Sequence, residues 1–208
     1  MKSAALPPEA EAATWYQGKQ FSFDWTSWHF PNWIKLLAPY RRRAVRVLEI
    51  GTWEGRSALF FLNYLPRSKL TCIDTFEGGK EHRRTPDAPA FLTRVEKRFH
   101  ANTAEFARRI EKRKARSADA LPELGIKRRR FDIAYIDGSH VATDVYSDAV
   151  LTWPLMVRGG LVIFDDYLWT ETPEALDRPK PGIDAFLKAI DGQYRVVLDD
   201  YQIAIIKR

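Results

Sequence analysis

Apolar runs of strand length recur along the chain, and segments with helical periodicity lie between them. The clearest runs cover residues 45–50, 70–74, 131–137 and 161–166, and a weaker one lies near 113–117. Strands that alternate with helices in this way are typical of a parallel sheet covered by helices. The pattern therefore predicts an α/β fold.

Four segments have apolar residues at helical spacing, and they predict helices over residues 58–65, 90–110, 142–153 and 183–190. The apolar stripe of the third predicted helix consists of Ala142, Tyr146, Val150 and Trp153. Gly159 and Gly160 are expected to end that helix. The last two apolar runs, 194–198 and 202–206, predict a hairpin, so the mostly parallel sheet should finish with an antiparallel pair.

The chain is expected to divide into an N-terminal part, residues 1–43, and a single α/β domain, residues 44–208. The first dozen residues are interpreted as a loose tail. Residues 25–40 are rich in aromatic side chains and predict a helix over the sheet edge or a ligand mouth, with packing in the core as the favoured interpretation.

Composition adds an expectation about location. No apolar stretch approaches 20 residues, and the first residues do not form a signal peptide, so we expect a soluble protein. Cys72 is the only cysteine, which fits a reducing compartment, and we expect the cytoplasm. The chain has a formal charge of +6, which would suit an anionic partner such as nucleic acid. Its basic residues are scattered in short groups, however, so nucleic acid is not the expected partner.

Polar residues cluster where the first two predicted strands end. Gly51 and Gly55 follow the first strand and permit a tight turn into a helix. Asp74 ends the second strand about 20 residues later, a spacing at which a carboxylate can accept hydrogen bonds from ribose hydroxyls. Glu49 lies inside the first strand, where a carboxylate needs a cationic or donor partner such as a bound sulfonium or ammonium group. The pattern predicts a nucleotide site.

Three further carboxylates end the fourth and fifth strands. Asp137 follows one, and Asp165 and Asp166 follow the other. If these strands are neighbours, about 4.8 Å apart, the three side chains converge. Such crowding requires a cation, and oxygen ligands without cysteines suit Mg²⁺ or Ca²⁺ rather than zinc, of which Mg²⁺ would keep open positions for water and substrate oxygens. The alternative is that one aspartate caps a helix while another is solvated.

Several motifs together resemble the class I S-adenosylmethionine-dependent methyltransferases. The resemblance is closest to small bacterial O-methyltransferases, including those that act on sugars of natural products, and extends more distantly to catechol O-methyltransferase. The motifs are VLEIG at 47–51, Gly55, Ser57, Asp74, SADAL at 117–121, FDIAYIDGSH at 131–140 and GGLVIFDDY at 159–167. The resemblance implies a Rossmann-like seven-stranded sheet with an antiparallel C-terminal hairpin and helices on both faces.

The resemblance also implies roles for individual residues. Glu49, Gly51 and Ser57 would contact the methionine part of S-adenosylmethionine, Asp74 the ribose, and Ser117 with Asp119 the adenine edge. The full set of expected cofactor-binding residues is Glu49, Gly51, Thr52, Trp53, Gly55, Ser57, Asp74, Thr75, Ser117, Ala118, Asp119 and Asp137. The expected magnesium ligands are Asp137, Asp165 and Asp166.

Two positions depart from the catechol O-methyltransferase pattern. His140 stands where that family has a catalytic lysine, and Asp166 stands where it has an asparagine. Histidine, with an ordinary pKa near 6.5, can accept a proton from a hydroxyl that a metal has acidified, so His140, with Asp137 beside it, is the expected catalytic pair. His140 could instead cap a helix or ligate the metal. The expected reaction is in-line attack of a small acceptor's hydroxyl oxygen on the sulfonium methyl group.

Three other functions stay open. A nucleic-acid methyltransferase would suit the basic charge, but those that act on base amino groups usually carry Pro-Pro-Tyr or Pro-Pro-Phe after the fourth strand, where this chain has Gly138, Ser139 and His140. A nicotinamide-dependent Rossmann oxidoreductase is disfavoured because the third glycine of the G-x-G-x-x-G motif is missing. A non-catalytic module is disfavoured because the chain has Asp137, His140, Asp165 and Asp166 together. The residues identify neither the acceptor nor whether the chain forms a homodimer.

The loop at 76–89 is expected to cover the cofactor or select substrate.

Overall fold

Seven strands form one sheet in the computed structural model, which describes residues 8–83 and 88–208. They are β1 (Arg46–Ile50), β2 (Lys69–Asp74), β3 (Ile110–Lys114), β4 (Phe131–Ile136), β5 (Met156–Phe164), β6 (Tyr194–Asp199) and β7 (Ile203–Lys207). The strand order is β3-β2-β1-β4-β5-β7-β6, with β1 to β5 parallel and β7 antiparallel to both of its neighbours. The predicted α/β sheet and its C-terminal hairpin are confirmed.

Helices cover both faces of the sheet. They are α1 (Pro8–Thr14), α2 (Phe30–Leu37), α3 (Arg56–Tyr64), α4 (Lys80–Arg83), α5 (Ala88–Thr103), α6 (Ser117–Ile126), α7 (Ala142–Thr152) and α8 (Pro179–Ala189). Within the described ranges, none of these helices has the length and apolarity needed to cross a membrane.

Alternate residues of the central strands pack on opposite faces, as the two-residue period of a strand requires. In β1, Val47 belongs to the apolar cluster under α2, α3 and α5, whereas Leu48 and Ile50 belong to the cluster under α6, α7 and α8. A sheet buried on both faces explains why its central strands are continuous apolar runs in the sequence.

The aromatic N-terminal segment contributes to both the core and the surface. Trp33 and Leu37 of α2 are fully buried, and the Trp33 ring stacks on Phe61 of α3 with centroids 5.1 Å apart. Trp25 and Trp28, by contrast, are about half exposed. Residues before β1 therefore share the core of the sheet, and the division of the chain at residue 43 stays a prediction.

Three local predictions are wrong. The strand expected near 113–117 is β3 at Ile110–Lys114, because Ser117 already begins α6, and the helix expected to reach residue 110 ends at Thr103. Gly159 and Gly160 do not end a helix, since α7 stops at Thr152 and both glycines lie within β5.

The stripe predicted for α7 is also wrong in part. Tyr146 and Val150 are exposed, and the buried positions of this helix include Val145, Asp148 and Ala149. The buried face of α7 is therefore rotated by about one residue from the predicted apolar stripe. A polar side chain, Asp148, lies on this buried face, outside the predicted stripe.

Gly182 in α8 lies against the backbone of α7, and it supplies a test of how these helices pack. A Cβ at Gly182 would lie 2.0 Å from the carbonyl oxygen of Ala142, whereas a Cβ at Gly125 in α6 would lie 3.7 Å from its nearest neighbour. We expect Gly182→Ala to lower the free energy of unfolding by about 2 kcal/mol, because the two helices must separate. Gly125→Ala should be neutral or stabilising by up to about 1 kcal/mol. Urea denaturation measures the free energy of unfolding of both variants. Equal unfolding midpoints for the two variants would contradict the close contact between α7 and α8.

Candidate cofactor and metal site

A cleft of about 800 Å³ lies beyond the carboxyl ends of the parallel strands. Its lining includes Gly51 after β1, Asp74 at the end of β2, Asp137 after β4 and Asp165 after β5. This is the edge at which open parallel sheets bind ligands, and the volume is that of a small-molecule site.

The turn after β1 is fixed by a close backbone contact. Gly51 has a φ of 81°, and a Cβ there would lie 1.9 Å from the backbone carbonyl oxygen of Asp137. Only glycine fits this position. The glycine therefore brings the ends of β1 and β4 together, and both residues lie in the cleft wall.

Asp74 holds the same turn from the other side. Its Oδ2 accepts hydrogen bonds from the backbone N–H groups of Thr52 and Trp53, both at 2.7 Å, and its Oδ1 accepts one from Phe76 at 2.6 Å. Burial raises the pKa of this carboxyl, and the three backbone donors oppose that shift. A carboxylate offers about four acceptor positions, so a further donor can be accommodated from the cleft.

Glu49 lies beneath the turn and is fully buried. The hydroxyls of Thr52 and Ser57 donate to its carboxylate at 2.6 and 2.5 Å, and the Cys72 thiol lies 3.4 Å away. Burial raises the pKa of Glu49 to about 7, although the hydroxyl donors oppose the shift. The chain itself therefore supplies the donors that the sequence required, without a cation.

The predicted cofactor-binding residues fall into two groups. Those that line the cleft are Gly51, Trp53, Asp74, Thr75, Ser117, Ala118 and Asp137. Glu49, Thr52, Gly55 and Ser57 lie behind the glycine turn, outside the lining, and Asp119 is exposed on α6 away from it. Contact of any of them with a cofactor stays a prediction.

Tyr135 of β4 joins two of the predicted metal ligands. Its hydroxyl donates to Oδ2 of Asp165 and lies 3.1 Å from Oδ2 of Asp137. The amide of Gln202 donates to the other carboxylate oxygen of Asp165 at 2.9 Å. Because β4 and β5 are adjacent parallel strands, Asp137 and Asp165 meet at one edge, as their positions in the sequence predicted.

A second group faces the cleft beside this pair. Among the described residues, Asp137, His140 and Asp166 place one potential ligand atom each within 4.8 Å of one another. His140 Nε2 lies 2.8 Å from Asp166 Oδ2, and Tyr201 donates to Asp166 Oδ1 at 2.8 Å. Asp166 adopts a φ of 55°, a strained conformation for a non-glycine residue that is typical of functional sites. The two carboxylates of this group suit a divalent cation such as Mg²⁺ or Mn²⁺.

The carboxylates of this edge repel one another. Burial raises the pKa of Asp137 and of Asp165, and the neighbouring negative charges raise both further. His29 Nε2 lies 3.4 Å from Asp165, but burial lowers the pKa of His29 to about 4, so this imidazole is neutral at neutral pH. The described side chains thus leave an excess of negative charge that a divalent cation would compensate.

Sequence reasoning missed several residues of the cleft. His29 contacts Asp165 at 3.4 Å, and His82 stacks on Trp53 with centroids 4.5 Å apart. Asp148 was missed because it lies outside the apolar stripe predicted for α7. Gln202 gave no local signal, because its contact with Asp165 joins residues 37 positions apart in the sequence. Residues 77–80 and 82–83 of the predicted covering loop line the cleft, and residues 84–87 lie outside the described residues.

A family model described as "Methyltransferase domain" matches residues 48–167, more than half of the chain and nearly all of the cleft-forming strands. The chain belongs to this methyltransferase family. The resemblance drawn from its motifs is therefore confirmed, and a nicotinamide-dependent oxidoreductase is set aside.

Curated relatives of the methyltransferase domain include two O-methyltransferases. The chain is 28% identical over 171 residues to mycinamicin VI 2''-O-methyltransferase of Micromonospora griseorubida, covering 79% of this chain and 37% of that protein. It is 25% identical over 150 residues to demethylmacrocin O-methyltransferase of Streptomyces fradiae, covering 69% and 32%. The chain thus spans less than half the length of these relatives.

Solved structures share the fold. The MycE methyltransferase of the mycinamycin biosynthetic pathway, in complex with Mg, SAH and mycinamycin VI, gives a TM-score of 0.68 at 19% identity, over 99% of this chain and 56% of that one. The O-methyltransferase TomG from Streptomyces achromogenes, in complex with SAM, gives 0.60 at 18% identity, over 100% and 93%.

The burial of Glu49 predicts a pH-dependent stability. Its pKa of about 7 in the folded chain lies above the ordinary 4.5, so ionisation opposes folding increasingly as the pH rises from about 4.5 to 7. We expect Glu49→Gln to stabilise the protein, relative to wild type, by roughly 2–3 kcal/mol more at pH 8 than at pH 5. Thermal and urea unfolding at the two pH values measure this.

Glu54 provides the matched control. It is equally buried but pairs with Arg98 at 2.7 Å. Glu54→Gln should therefore destabilise the protein at pH 8, because it leaves the arginine without its partner. The account of Glu49 fails if Glu49→Gln changes stability by the same amount at both pH values.

Proposed function

We propose that this chain catalyses transfer of a methyl group from S-adenosylmethionine to a hydroxyl oxygen of a small acceptor, assisted by a divalent cation. The observation that carries the proposal is the meeting of Asp137, His140 and Asp166 within 4.8 Å in the cleft of a methyltransferase domain. Two of the curated relatives are named as O-methyltransferases.

The cofactor is assigned to the side of the cleft formed by β1, β2 and the start of α6. Asp74 retains acceptor capacity for the ribose hydroxyls, and Gly51 allows close approach to the backbone. Ser117 and Ala118 form the wall on the adenine side. The indole N–H of Trp53 is buried without a hydrogen-bond partner in the described part of the chain, so it offers a further donor.

Asp137 and Asp166 are the proposed ligands of the cation, preferably Mg²⁺, whereas Asp165 supports Asp137 through Tyr135. A cation bound there would lower the pKa of the acceptor hydroxyl. His140 accepts the hydroxyl proton, and Asp166 orients its imidazole at 2.8 Å. The acceptor oxygen then attacks the methyl group in line with the departing sulfur, and correct positioning supplies most of the acceleration.

Aromatic side chains suggest the shape of the acceptor. The Trp169 ring lies 4.4 Å from that of His140, and Tyr201 lies between Asp166 and Trp28, whose ring is 4.6 Å from its own. Flat apolar walls beside a polar group suit a hydroxylated ring with one apolar face, such as a sugar or a phenol. Asp166 and Glu171 at this mouth disfavour a phosphate backbone. A cytoplasmic location and a homodimeric state stay predictions.

Release of S-adenosylhomocysteine from S-adenosylmethionine, measured with glycosides and phenols as acceptors, tests the proposal. We expect turnover with Mg²⁺ and its loss in EDTA. His140→Gln should lower kcat by roughly 100-fold with little change in the KM for S-adenosylmethionine, because the base acts on the acceptor alone. Asp166→Asn should raise the Mg²⁺ concentration required.

Asp199→Asn is the control, because this exposed carboxylate lies on the edge strand β6 and should leave the rate unchanged. Equal rates in EDTA and Mg²⁺, or full activity of His140→Gln, would contradict the proposed mechanism.

A further inference from the structure

Asp148 is a buried carboxylate that the proposed mechanism does not use. It lies on α7, is 3% exposed and lines the same cleft as Asp74 and Asp137. Among the described residues, the hydroxyl of Ser117 is the one group that donates a hydrogen bond to it. A buried carboxylate with a single neutral donor is poorly compensated, and burial raises the pKa of Asp148 to about 7.

The position of Asp148 within the cleft is defined by two neighbouring segments. Its hydrogen bond reaches Ser117, the first residue of α6, which follows β3. Its Oδ2 lies 3.4 Å from the place of a Cβ on Gly138, which follows β4. Asp148 is thus at the back of the part of the cleft between the β3 and β4 ends.

The walls of this part of the cleft suit a flat ring. Gly138 lies beside Asp148, and the lining of the cleft also includes Ile73, Ala115 and Ala118, whose side chains are small or apolar. Since Ser117 occupies only part of the acceptor capacity of the carboxylate, Asp148 can accept another hydrogen bond from a group that enters between these walls. A planar base with an amino group on its edge has the matching donor.

We propose that Asp148 accepts a hydrogen bond from the exocyclic amine of the cofactor's adenine, and so selects an adenosyl cofactor over one that carries a carbonyl oxygen at that position. The inference rests on the proposed function, because it requires an adenosyl cofactor in the cleft. Asp148 is then a specificity residue for the cofactor, remote from the methyl group. Above pH 7, where the Asp148 carboxyl is mostly ionised, a site built to accept from an amine rejects a carbonyl, because two acceptors would face each other, and the titrations are therefore made at alkaline pH.

Calorimetric titration with S-adenosylhomocysteine and with S-inosylhomocysteine, which has a carbonyl oxygen in place of the amine, tests the assignment. We expect the wild-type chain to bind the adenosyl compound at least tenfold more tightly. Asp148→Asn can donate from its amide nitrogen to the carbonyl, so the preference should fall at least tenfold. If melting curves show that Asp148→Asn is unfolded, Asp148→Ala is measured instead, and its preference should fall towards unity.

Asp144→Asn is the matched control, because Asp144 lies one turn earlier on α7, also lines the cleft and is exposed. It should keep the wild-type preference. An unchanged preference in a folded Asp148→Asn would show that Asp148 only ties α7 to α6 and would overturn the inference. Failure of the wild-type chain to bind S-adenosylhomocysteine would contradict the proposed function itself, and the inference would fall with it.

Discussion

Crowding of buried and half-buried carboxylates at one edge of the sheet is the constraint on which the site depends. Parallel strands bring Glu49, Asp74, Asp137 and Asp165 to the same edge, where water cannot solvate them fully. Each requires a donor or a cation. Hydroxyls serve Glu49 and backbone N–H groups serve Asp74, whereas Asp137 and Asp165 share one tyrosine hydroxyl and remain short of positive charge.

The fold accounts for this arrangement in a simple way. A glycine after β1 lets the backbone of Asp137 approach closely, so the ends of β1 and β4 form one continuous wall. Asp74 then ties the glycine turn to β2. The hairpin at the far side brings Gln202 and Tyr201 to Asp165 and Asp166. The proposed nucleotide and metal sites therefore adjoin each other in one cleft.

Much of this could be predicted from the sequence, because the strand-length apolar runs, the glycine turn and the strand-end aspartates are local signals. The location of β3 could not, since its residues are charged and only half-buried on an edge strand. The contact of His29 with Asp165 depends on how α2 packs, and no spacing encodes it. Asp148 was missed because helical periodicity assigns only apolar residues to the buried face, so that a carboxylate is predicted to lie on the surface.

Calorimetric titration of the wild-type chain with S-adenosylhomocysteine, beside Asp74→Asn, tests the central claim most directly. The account predicts saturable binding at one site in the wild type. It also predicts at least tenfold weaker binding, about 1.4 kcal/mol, in the variant, because the ribose hydroxyls lose their ionic acceptor. Absence of binding by the folded wild-type chain at two temperatures, or equal affinity of a folded Asp74→Asn, would contradict it.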